Sequence, residues 1–146
     1  MNATMAKFGY PDTLIHEYDR WSVQLRPAQV TLGALVLVCR EPATRFGQLS
    51  AAAFAELREA VAGAESALSR AFGFERINYL MLMMVDPDVH FHVLPRYGSA
   101  RTFAGVTFED AGWPGPPRLD VVNAGAAAVI TDLVDEVKSC WPAGAA

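Results

Sequence analysis

Trp21, Val23 and Leu25 alternate with Ser22 and Gln24, a period of two that marks a half-buried strand over 21–25. A shorter apolar stretch at 14–16 precedes it across the polar turn Glu17-Tyr18-Asp19-Arg20. The run LGALVLVC at 32–39 is apolar at both parities and reads as a central strand. Then the period changes. Phe54, Leu57, Val61, Ala64, Leu68 and Phe72 recur at three- and four-residue steps, which predicts one apolar stripe on a helix over about 51–71. Ser50 is placed to cap its start and Gly73 to end it. INYLMLMMV at 77–85 reads as a further buried strand, broken by Asp86-Pro87, and 89–94 as the next. A tight Asp-Pro-Asp connection between them predicts an antiparallel pair. Residues 103–117 are rich in Gly, Pro and aromatics and end in AGWPGPP. This segment is expected to be rigid and to pack over the sheet or against a partner subunit. A last helix over about 125–140 carries Ile130, Leu133, Val134 and Val137 on one face. Strands in series with separate helices give an α+β meander rather than an alternating α/β fold.

Composition narrows the picture. The 146 residues suit one domain over 1–146. Apolar residues make up 52% and charged residues 19%, slightly oilier than an average soluble domain. A well-filled core accounts for the excess, as does an apolar patch or sheet edge buried in a homodimer. A net charge of −4 argues against a general nucleic-acid-binding surface. Phosphate contacts are then local, made by a few cations and backbone N–H groups. Cys39 and Cys140 are far apart, without metal-type spacing, and read as free thiols. The start of the sequence shows no long apolar h-region, and the oily runs at 32–39 and 79–85 are too short to span a membrane. A cytoplasmic protein without membrane contact is the expectation.

Chemistry concentrates in VDPDVHFHVLPRY, at 85–97, which holds two of the three histidines. Positions two apart on a strand face the same way, so Asp88, His90, His92 and Leu94 share one face. Phe91 and Val93 then point to the other, under the long helix. Three readings fit this row. Two histidines can be structural, hydrogen-bonded on a half-exposed strand. Asp88, His90 and His92 can ligate a metal such as Zn²⁺ or Fe²⁺. A neutral imidazole can also attack a phosphoryl or acyl centre while a neighbouring donor or cation stabilises the developing charge. His16 has no motif around it and reads as a surface or strand-edge residue.

HFHVLPR resembles the end of the histidine triad (HIT) signature, three histidines alternating with apolar residues and followed by two aliphatics, Pro and Arg. LIHEYDRW is similar to the first hairpin of that family, TLGALVLV to its central strand, and the helix from Ala51 stands in the family's place. RINYLMLMMVDPDVHFHVLPRY and GWPGPP resemble a bacterial branch. The resemblance implies a HIT-like α+β fold: an antiparallel sheet of about five strands, a long helix packed on one face, a C-terminal helix and a homodimer that extends the sheet. It makes His92 the third member, His90 the middle one, and puts Asp88 in the place of the first. The middle histidine is the family's nucleophile, so His90 is expected to attack the α-phosphorus of a nucleotide conjugate, forming a nucleotidyl-imidazole that water or another acceptor releases. No cofactor or metal is implied. His92 is expected to donate to a phosphoryl oxygen or leaving group. Asp88 either orients or charges His90 or His92, or caps the turn after Pro87. The family's Gly-Gln-Ser/Thr phosphate segment is replaced here by Met83-Met84-Val85-Asp86-Pro87. Asn78 either meets the nucleotide or bonds the backbone, Arg96 is a candidate phosphate or dimer contact or a surface ion pair, and Gln29 and Thr31 are candidates for the nucleoside end. The alternative is a nucleotide-binding or regulatory protein whose catalysis is lost with the first histidine.

Overall fold

Alternating and continuous apolar runs become a five-stranded antiparallel sheet in the computed structural model, which describes residues 1–143. In chain order the strands are β1 (Leu14–Glu17), β2 (Trp21–Leu25), β3 (Leu35–Cys39), β4 (Arg76–Leu80) and β5 (His90–Arg96). Their spatial order is β1-β2-β3-β5-β4. The β3-to-β4 connection, which carries the long helix, therefore skips one place, and β5 returns to fill it beside β3. A separate hairpin, β6 (Arg101–Phe103) with β7 (Val106–Phe108), leads into the Gly- and Pro-rich segment.

The long helix is α2 (Ala51–Phe72). Ser50 caps it by accepting from the Ala53 N–H at 3.0 Å, and Gly73 ends it in the left-handed conformation. Its buried stripe differs from the predicted one. Ala53, Ala60, Ala64 and Ala67 are buried, Leu57 and Val61 lie on the flank, and Phe54 is exposed. Small side chains let the helix axis approach the sheet and α3 (Ile130–Cys140) closely. At Gly63 a Cβ would lie 2.5 Å from the Trp141 ring, so only glycine fits there. The Trp21 indole seals the helix start by donating to the Ala53 carbonyl at 2.8 Å.

Three predicted boundaries move. The strand expected over 32–39 begins at Leu35, because Gly33 turns at φ +83 and packs against the Phe72 ring. The strand expected over 77–85 stops at Leu80. Residues 81–89 form a loop rather than a tight connection, with Met83 at φ +48. Met84 and Val85 are exposed on it, at 85% and 80%. The last helix begins as a 3-10 turn at Ala124–Val129 and becomes α-helical at Ile130.

One element has no counterpart in the sequence reading. α1 (Ala3–Lys7) lies on the sheet face opposite α2, with Met5 and Phe8 against Val36 and Val38. Gln24 donates its amide N–H to the Met5 carbonyl at 3.0 Å. The period of two predicts a half-buried β2, yet Ser22 and Gln24 are fully buried because α1 covers them. No helix among the described residues is long and apolar enough to cross a membrane.

Candidate active site

Register builds the site. Val38 pairs with His90 and Val36 with His92 across β3–β5, and Leu80 pairs with His92 across β4–β5. These side chains share the sheet face away from α2. The two imidazoles stand edge to face, with centroids 5.2 Å apart. The row does not face open surface. Phe8, at the end of α1, lies over both rings, 6.2 Å from His90 and 5.8 Å from His92, and the 81–89 loop closes the other side. His90 is 2% exposed and His92 7%. Both form the floor of a cleft of about 420 Å³.

His90 Nδ1 lies 2.7 Å from the backbone carbonyl of Asp88. A carbonyl only accepts, so Nδ1 carries the proton and donates it. In the neutral ring the lone pair is then on Nε2. The Asp86 carboxylate stands 4.0 Å from that nitrogen, and its other oxygen accepts from Lys7 Nζ at 2.5 Å. His92 is held neutral: burial first, then the Arg26 charge and the neighbouring His90, lower its pKa from 6.5 to about 4. His92 Nδ1 has no partner. Arg26 follows β2 directly and reaches into the same cleft, where Nη1 donates to the Ala28 carbonyl at 2.6 Å and Nε is buried without a partner. Phe8, Leu82, Met83, Met84, Val85 and Leu119 supply apolar wall.

The other sequence-predicted residues lie elsewhere. The Asp88 side chain turns away from the imidazoles and accepts from the Thr4 N–H at 3.1 Å, while Thr4 Oγ1 accepts from the Asp88 N–H at 3.1 Å. It caps α1 rather than the turn after Pro87, and what it presents to His90 is its backbone. Asp88, His90 and His92 therefore do not converge as ligands. No group of three His, Cys, Asp or Glu among the described residues is placed to hold a metal. Gln29 is fully buried and braces the β2–β3 loop: its amide donates to the Arg26 and Ala34 carbonyls and its oxygen accepts from the Gly33 N–H. Thr31 is buried, and neither residue lines the cleft.

Arg96 is 4% exposed and committed within the protein. It donates to both oxygens of Asp110, at 2.6 and 3.0 Å, to Asn78 Oδ1 at 2.7 Å and to the Gly115 carbonyl at 3.0 Å. Asn78 and Arg96 line a second recess with Trp113 and Pro114, so the GWPGPP segment packs on the sheet face through Arg96. Leu80, Leu94 and Leu119 pack together between this recess and the imidazoles. His16 stacks on Trp141 at 5.2 Å, remote from the row.

Sequence reasoning missed Lys7, Phe8, Arg26 and the placement of Asp86. For Arg26 a signal existed. Ser22, Gln24 and Arg26 share one parity, so the period that put Trp21 in the core also put Arg26 on the histidine face.

No protein-family model and no curated protein matches the sequence. Solved structures do match the fold. A histidine triad protein from Bradyrhizobium japonicum superposes with a TM-score of 0.69 at 16% identity, over 97% of each chain. A Hit-like protein involved in cell-cycle regulation from Bartonella henselae gives 0.70 at 11% identity, over 94% of this chain and 93% of that one. A histidine triad protein from Sinorhizobium meliloti gives 0.65 at 19% identity, over 93% and 94%. By these likenesses the chain has the histidine triad fold.

Proposed function

We propose that the protein cleaves a nucleoside phosphoanhydride or phosphoramidate conjugate, as hydrolase or nucleotidyl transferase, through His90. The observation that carries this reading is the 2.7 Å bond from Nδ1–H to the Asp88 carbonyl, which leaves the Nε2 lone pair on the cleft side. Nε2 attacks the α-phosphorus and the bond to the leaving group breaks with its electron pair; an amine leaving group takes up a proton from solvent, which the attacking water returns to solvent in the second step. The ring then carries the nucleotidyl group and a positive charge, which the Asp88 carbonyl and the Asp86 carboxylate offset. Water or another acceptor attacks the phosphorus next and returns the lone pair to Nε2. Little covalent chemistry is asked of the protein beyond positioning and charge compensation. His92, one strand step on, supplies an N–H to a phosphoryl oxygen or the leaving group.

A homodimer belongs to the same proposal. Strand β4 is at the sheet edge, and Leu57, Val61, Tyr79 and Phe91 line an apolar recess beside it.

Phe8 over both rings and the 2% exposure of His90 favour a second reading, a binder that takes up nucleotide without turnover. A panel of adenosine and guanosine phosphoramidates and dinucleoside polyphosphates, read by product release and intact mass, separates the two. The enzyme reading expects one nucleotidyl adduct on the native chain and none on His90→Ala. Binding with neither turnover nor adduct across the panel leaves the binder.

A further inference from the structure

Two nitrogens on the cleft wall are buried without a hydrogen-bond partner: Arg26 Nε and His92 Nδ1. Such groups lose their water and gain nothing in return, so a buried unpaired donor is costly unless a ligand completes it. Arg26 makes no ion pair among the described residues, whereas Lys7 is matched by Asp86. Before either imidazole is counted, Lys7, Arg26 and Asp86 leave the cleft one positive charge in excess. That excess sits on Arg26.

We infer that Arg26, with His92 beside it, seats the single negative charge of the ligand's phosphoryl group, so the cleft takes a monoanionic phosphate diester or phosphoramidate in preference to a polyphosphate. The inference rests on the reading that the cleft holds a nucleotide conjugate, and it names the charge class of that conjugate. The planar guanidinium brings donors in a fixed fork that matches two phosphoryl oxygens. Neutral His92 adds an N–H without adding a second charge. The organic part of the ligand rests on Leu82, Met83 and Leu119, with the exposed Met84 and Val85 at the lip. A polyphosphate would bring further charges with no unmatched cation to meet them, and the first in its path is the Asp86 carboxylate.

Calorimetric titration of the full chain with adenosine 5′-O-methylphosphate tests this. Methoxide leaves poorly, so binding is read without turnover. The singly charged diester is expected to bind at least about tenfold more tightly than diadenosine tetraphosphate, and Arg26→Gln to weaken the diester about tenfold or more, the worth of a charge-assisted hydrogen bond. Arg26→Lys should fall between, and Arg58→Gln, on the exposed side of α2, should bind as the native chain does. On the native chain the diester should also shift the His92 pKa upward, followed by NMR, and the shift should vanish in Arg26→Gln, which a merely structural arginine would not produce. Equal diester affinity in Arg26→Gln, or tighter binding of the tetraphosphate, overturns the inference. Should Arg26→Gln not fold, the native chain's preference and Arg26→Lys decide it. If no probe binds, the nucleotide reading falls and takes this inference with it. Binding that depends on Arg26 without any adduct removes only the catalytic role of His90.

Discussion

Replacing His92 by asparagine should flatten the pH dependence of stability on the acid side. His92 is 7% exposed, so solvent screens its surroundings little. Its pKa falls from 6.5 in the open chain to about 4 in the fold, through burial first, then the Arg26 charge and the neighbouring His90. Below about pH 6.5 the unfolded chain binds a proton there that the native chain refuses until about pH 4. Protons therefore favour unfolding across that window, and stability falls as pH falls. A pKa lowered from 6.5 to about 4 corresponds to about 3 kcal/mol, lost progressively across the same range. The asparagine amide cannot titrate, and groups that do not interact with His92 remain in both proteins and cancel in the difference. Urea unfolding of both chains at about pH 7.5, 6, 5 and 4 measures the effect. The native chain should lose about 3 kcal/mol more than His92→Asn over the series. Parallel curves would refute the burial and charge argument for His92, and with it the claim that this ring stays neutral beside Arg26.

Two further outcomes follow from side chains that the site does not use. Asp88→Ala removes the carboxylate that accepts the Thr4 N–H, so α1 should loosen by about 1 kcal/mol, seen as about fivefold faster hydrogen exchange at its amides. Unchanged exchange there would show that the cap contributes nothing. Asp110→Ala leaves the buried Arg96 guanidinium without its carboxylate and should cost about 3–5 kcal/mol, measured by denaturant unfolding. Arg96→Met with Asp110→Leu should be milder than Asp110→Ala, since no charge is stranded; an equal or larger loss would mean that the pair's shape, not its charge, holds the GWPGPP segment.

Local pattern was enough to assign the residues of β2 and β5 their faces and to place the two ends of the long helix. A period of two is a property of extended backbone, so His90 and His92 had to share a face and Phe91 had to take the other. Ser50 and Gly73 act on the nearest backbone groups, so the limits of α2 were legible. Partner choice was not. Arg96 sits beside the histidine motif in the chain, yet its charge is matched by Asp110, which the fold returns across β5. Asp88 stands two residues before His90, but its carboxylate goes to Thr4 and only its carbonyl, which no side-chain pattern encodes, holds the imidazole. Helix α1 has five residues, too few to be stable alone, so it leaves little local signal and exists because Met5 and Phe8 find the β3 valines. Through that helix, long-range packing made the histidine row a covered cleft floor rather than an open face, because a short amphipathic segment gains its stability from the surface it covers.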